Sequence, residues 1–429
     1  MKRQVPMKLL SLFFFLTLTS LYSQDMSYAR QTVNALCDTG MHGRGYVKNG
    51  DHIAARFIAA EFEKRGLKKY SKNYFQYFTT PVNTFPRKME VKVNEHTLMP
   101  GEDYLIDPGS PGISGIYFTT SLKAEEILND SACFAKIKSA SDKFIVVEAF
   151  DKKIFNKDQN KKINDVISYL QYSPDCHVKG TIVVTTDKLT WSGSTKLYSN
   201  PSFIINANSL KEPITKISLK ITNLFTKAYK TQNVIGYVEG DNADSLMVYT
   251  AHYDHLGMMG DKTMFAGAND NASGVAMVLD LMQYYAQHKP KYTSVFIAFS
   301  GEELGLLGSK YFTDHPLFPL SKIKFLINFD MAGTGEEGIQ VVNGKVYKQK
   351  FDLLTKINQE LNLVTQVKIR GESCNSDHCM FYAKGVPCFF IYTLGGIQAY
   401  HDIYDRAQTL PLTDFEDYLK LMIEFVKQM

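Results

Sequence analysis

Short, mostly hydrophobic runs alternate with segments of helical period through the second half of the chain. The runs at 233–238, 246–250, 293–299, 325–329 and 388–392 are too short for helices and read as buried strands. Between and after them, 273–286, 303–312, 348–360 and 412–428 carry helix-like patterns, with Ser273 a candidate cap. Strands hydrophobic on both faces, interleaved with helices, predict an α/β fold: a mixed, mostly parallel sheet flanked by helices. Upstream, Ile53, Phe57, Ile58 and Phe62 fall on one face of a helix over 51–65, which Gly66 stops. Residues 85–215 have another texture. Alternating runs at 88–93 and 181–185, turn residues from Asp107 to Gly112 and a lysine-rich stretch at 152–163 predict an inserted mostly-β domain.

The first 23 residues form a separate unit. Lys2, Arg3 and Lys8 precede an apolar stretch from Leu9 to Leu18, and Leu21-Tyr22-Ser23 makes a cleavage site before Gln24. That predicts a signal peptide and an exported chain, periplasmic or extracellular, with no stable membrane insertion after cleavage. Its removal lowers the net charge from +4 to +1, which gives no electrostatic basis for nucleic-acid binding. The expected order is signal peptide 1–23, N-terminal part of the catalytic domain 24–84, inserted domain 85–215 and catalytic domain 216–429. Six cysteines in an exported chain permit disulfides, and Cys374 and Cys379 are the closest pair. Nothing in the sequence signals an oligomeric state.

In open α/β sheets, ligands bind beyond the carboxyl ends of the strands. The residues just past each predicted strand are rich in histidine and carboxylate. His252, Asp254 and His255 follow the second run, and Asp270 opens the helix after it in Gly267-Ala-Asn-Asp-Asn-Ala-Ser-Gly274. Glu302-Glu303, Asp330 and Tyr400-His401-Asp402 follow the next three. Taken singly, each has a plain structural reading: a turn histidine, a helix cap, a β-turn opener. Together at one rim they form a donor set suited to zinc or a related divalent ion.

In their order (HxD, DNASG, GEE, a strand-end Asp, SDH, YHxxxD) these motifs resemble those of the co-catalytic di-zinc aminopeptidases and related glutamate carboxypeptidases. The resemblance covers 231–429 and, more faintly, 51–65; by position and texture the 85–215 insert is similar to a protease-associated domain. It implies two Zn2+ ions per chain, one held by His252 and Asp330, the other by Glu303 and His401, with Asp270 bridging. It further implies that Asp254 orients His252, that Glu302 is the general base taking a proton from metal-bound water, and that Tyr400 donates to the oxyanion. Asp377 and His378 would support the site from behind the ligands, and His255 has no assigned role. The implied activity is removal of N-terminal residues from peptide substrates. Two alternatives use the same scaffold: a single-zinc glutaminyl cyclase-type acyltransferase and a non-catalytic binding protein. Asn271-Ala-Ser-Gly274 and Tyr400 favour the peptidase over the first, and the complete ligand set with Glu302 favours it over the second.

Overall fold

The hydrophobic runs of the second half are the central strands of an eight-stranded mixed sheet. The computed structural model describes residues 26–429, so the signal peptide expected over 1–23 lies outside the described residues. Strand Asn242–His252 runs parallel to Tyr292–Phe299 on one side and Ile323–Phe329 on the other. Cys388–Thr393 continues the parallel order beside Ile323–Phe329. Tyr292–Phe299 is buried at every position, as a strand covered on both faces must be. Antiparallel strands Phe75–Thr84 and Leu224–Val238 extend one edge, and Ile339–Val342 with Val367–Ile369 forms the other.

Helices cover both faces. Met26–Leu36, Gly50–Lys64, Gly274–Gln287 and Phe415–Gln428 share one core, built from residues such as Ile58, Phe62, Met277, Leu421 and Phe425. Leu307–Asp314 and His378–Tyr382 pack Phe312 and Phe381 into a second core on the opposite face. The helix expected over 303–312 begins only at Leu307. Glu302 to Leu306 form a turn instead, with Gly305 and Leu306 at φ +105° and +60°, and the Glu302 carbonyl accepting from both of their amides. No helix among the described residues is long and apolar enough to cross a membrane.

The strands between Glu90 and Ile221 form a second eight-stranded sheet. Part of it is parallel: Ile113–Leu122, Phe144–Val147, Gly180–Thr185 and Ser202–Asn206 run in one direction. Helices Ala124–Leu128, Asp130–Lys138 and Lys157–Tyr172 link those strands. The lysine-rich stretch at 152–163 thus leads into a helix, capped where Asn156 and Gln159 each accept from the other's backbone amide. The core of this sheet also takes in Leu256, Met259 and Phe265 from the hairpin that follows His255. That shared core ties the second sheet to the loops at the rim of the first.

Candidate active site

The parallel strands deliver the chemistry. His252 ends strand Asn242–His252, and Asp330 follows Ile323–Phe329. Beyond Tyr292–Phe299, Gly301 at φ +74° turns the chain so that Glu302 and Glu303 stand side by side at the rim. Asp270 lies in the turn Ala268–Ser273 at the head of helix Gly274–Gln287. Gly267, at φ +61°, opens that turn; a Cβ there would run into the Asp270 carbonyl and the His255 ring.

These residues converge. Asp270 presents Oδ1 to His252 Nε2 at 3.2 Å and Oδ2 to His401 Nε2 at 3.0 Å. Asp330 Oδ1 lies 3.3 Å from His252 Nε2, and Glu303 Oε2 lies 3.2 Å from His401 Nε2. Both imidazoles are held from behind by main-chain carbonyls. His252 Nδ1 faces the Asp254 carbonyl at 3.1 Å, and His401 Nδ1 faces the Trp191 carbonyl at 2.9 Å. A carbonyl only accepts, so each Nδ1 donates to it and each Nε2 is the atom turned toward the carboxylates. The Asp254 carboxylate, expected to orient His252, lies 3.8 Å from Nδ1, too far for a hydrogen bond. It accepts instead from the Tyr46 hydroxyl at 2.9 Å and from the Glu302 amide at 3.2 Å, so it positions the glutamate turn.

His252, Asp270 and Asp330 offer ligand atoms within 4.8 Å of one another, as do His255, Asp270 and Glu303. His255 is thus the residue whose position the sequence left without meaning. Its Nδ1 lies 2.6 Å from Glu303 Oε1, so it fixes one oxygen of that carboxylate while the other faces His401. Crowded carboxylates with imidazole Nε2 atoms aimed between them are a fit for zinc-class ions.

The adjacent glutamates have opposite electrostatics. Burial, reinforced by the neighbouring carboxylates, pushes Glu302 well above the usual range against the pull of His252. Burial also acts on Glu303, but His255 and His401 outweigh it and hold the carboxyl at about 2. Opposite shifts on neighbouring carboxyls are how environments assign acid-base roles to like residues.

Supporting residues come from far along the chain. The Asp405 carboxylate accepts the Asn269 and Asp270 amides at 2.8 and 3.0 Å, fixing the Asp270 turn. Arg44, fully buried, donates to the carbonyls of Tyr253 at 2.8 Å, Ala266 at 2.6 Å and Gly267 at 2.7 Å, clamping two rim loops together. Asp405 stands in the YHxxxD motif, whereas nothing in the sequence marks Arg44. Ser376 donates to Asp330 Oδ2 at 2.7 Å and accepts from Asn328 at 2.8 Å. Asp377 is buried behind it, and burial raises its carboxyl to about 7. His378 turns away, its Nε2 2.8 Å from the Ser373 carbonyl.

Tyr400 is 45% exposed and stacks on His401 with ring centroids 4.0 Å apart. With the cluster, Met331, Arg370, Asn375, Phe390 and Tyr392, it lines a cavity of about 270 Å³. His401 and Met331 adopt positive φ, +52° and +65°, a conformation that persists in non-glycine residues only where surroundings enforce it.

A helix-flanked mixed sheet with a rim of histidines and carboxylates matches the zinc exopeptidase fold. A solved structure described as a peptidase M28 precursor from Shewanella amazonensis SB2B is similar in fold, with TM-score 0.69 over 94% of this chain and 93% of that one, at 18% identity. Residues 233–426, a little under half of the chain, match the model of peptidase family M28. Among curated proteins, aminopeptidase YwaD of Bacillus subtilis is 30% identical over 165 residues, 36% of this chain and 34% of that protein. A probable zinc metalloprotease of Pyricularia oryzae is 35% identical over 114 residues, 25% of this chain and 23% of that protein. The chain therefore spans about a quarter to a third of the length of these curated relatives.

Proposed function

We propose that the protein is an exported, di-zinc aminopeptidase that hydrolyses the N-terminal residue from peptides. The observation that carries the reading is the placement of Asp270, with one carboxylate oxygen toward each of two histidines. In this reading His252 and Asp330 would hold one ion and Glu303 and His401 the other, with Asp270 offering one carboxylate oxygen toward each. Ions held there supply Lewis-acid polarisation of the scissile carbonyl and a nucleophile at neutral pH.

The chain's own groups do the rest. Glu302, unpaired by His255 or His401 and raised by burial, accepts the proton of the attacking water and returns it to the leaving amine. The Asp254 bond to its backbone amide holds the Glu302 turn in place. Tyr400, at the open side of the cavity, donates its O–H to the developing oxyanion. The substrate's free α-amino group would bind at this same cluster of Asp270, Glu302, Glu303 and Asp330.

Glu302→Gln tests the base without removing a ligand. Zinc content by elemental analysis should stay at two per chain, while kcat on aminoacyl amides falls about 10²- to 10⁴-fold. Unchanged turnover would remove Glu302 from the mechanism. One zinc per chain together with cyclisation of N-terminal glutamine would replace the aminopeptidase reading by an acyltransferase. Export is tested separately, by whether the mature chain recovered outside the cytoplasm begins at Gln24.

A further inference from the structure

Apart from the histidines, Arg370 is the cationic side chain in the cavity lining. It directly follows edge strand Val367–Ile369, and two main-chain bonds hold it there: its amide donates to Val341 at 2.9 Å and its carbonyl accepts from Lys345 at 3.1 Å. Its Nη1 donates to the Tyr392 hydroxyl at 3.0 Å. Among the described residues no carboxylate lies within the 4.0 Å ion-pair distance of its guanidinium. Because Tyr392 accepts from Arg370, its own O–H is left to donate. Two half-buried donors therefore share one wall of the cavity without an anionic acceptor.

Such a fork is incomplete. A half-buried guanidinium is best satisfied by a carboxylate, which takes two parallel N–H bonds. Beside it, Phe390 and Met331 supply apolar surface, and the Phe390 and Tyr392 rings lie 5.3 Å apart. This combination matches a short methylene stem ending in a carboxylate. The same cavity lining carries Asp270, Glu302, Glu303 and Asp330, the cluster at which the substrate's α-amino group binds in the reading above. The lining thus combines an acidic cluster with one guanidinium that has no carboxylate partner among the described residues.

We propose that Arg370, with the Tyr392 hydroxyl, selects substrates whose N-terminal residue has an acidic side chain. The inference rests on the aminopeptidase reading above and names the substrate class for that site. Glutamine is the sharpest comparison for glutamate, because it has the same shape without the charge.

The test measures kcat/KM of the zinc-loaded full chain on glutamyl, glutaminyl and leucyl p-nitroanilides, for the native protein, Arg370→Leu and Arg370→Lys. The native glutamyl-to-glutaminyl ratio should be at least about tenfold, a discrimination that a desolvated charge pair readily supplies. Arg370→Leu should bring the ratio close to one, and Arg370→Lys should keep part of it. A native ratio at or below one, or a ratio untouched by Arg370→Leu, overturns the proposal. So does an Arg370-dependent preference confined to dipeptides with a free C-terminus, which would place the peptide's terminal carboxylate on the guanidinium. Calorimetric titration with L-glutamate and L-glutamine gives an answer independent of turnover. If no aminoacyl amide is hydrolysed, the aminopeptidase reading fails, and tighter glutamate binding lost in Arg370→Leu still decides for Arg370. Equal binding of the two amino acids decides against it.

Discussion

Glu302 and Glu303 are neighbours in sequence and opposites in environment. Two histidines flank Glu303, His255 at 2.6 Å and His401 at 3.2 Å, whereas the contact of Glu302 nearest to one is His252 at 4.0 Å. The sequence marks both glutamates, since a charged pair at the end of a buried strand calls for a partner. It does not mark the contribution of His255, because a hydrogen bond across 48 residues leaves no local pattern. Groups that orient a ligand commonly contribute one to two orders of magnitude in metal affinity. His255→Ala should therefore weaken one of the zinc ions by about 10- to 100-fold and leave the other bound. Competition with a chelator, followed by zinc release, reads this directly. Loss of both ions together would assign His255 to the fold as a whole.

At the scale of elements, the legible parts were those governed by burial and period. Strands such as Tyr292–Phe299 and the apolar helix Gly274–Gln287 appear where hydrophobic pattern places them. The start of Leu307–Asp314 does not, because the choice between turn and helix at Glu302–Leu306 is decided by left-handed backbone and not by hydrophobicity. The loop from Cys374 to Cys379 was legible only as a close cysteine pair; the structure joins them. Inside it, Ser376 holds Asp330, so the bond braces a candidate ligand. Closing so short a loop stabilises by about 2 kcal/mol through the unfolded chain. The Cys374→Ser, Cys379→Ser double variant should show that loss in urea unfolding, together with weaker zinc binding. A stability loss with unchanged zinc affinity would confine the disulfide to a structural role.

At the scale of the molecule, the second sheet reaches the site through Trp191. Its backbone amide donates to the His401 carbonyl at 2.8 Å and its carbonyl accepts from His401 Nδ1. The indole donates to Ile106 at 2.8 Å and lies against Phe265, so the side chain anchors the backbone that anchors the histidine. Trp191→Ala should cost about 3–5 kcal/mol as a buried large-to-small change, seen in thermal unfolding, and should lower zinc affinity beyond what other insert variants of equal instability cause. Zinc binding that tracks stability alone would separate Trp191 from the site.

Arg44 and Trp191 both lie outside residues 233–426, the stretch that matches the peptidase family M28 model. That stretch contains His252, Asp270, Glu303, Asp330 and His401 in full, and yet two of the groups that aim them sit 189 and 42 residues before it begins. The recognisable segment is therefore not a portable module. Transplanted alone it would bring its donor atoms without their alignment, and homologues that differ upstream can differ in activity while their signature motifs read the same.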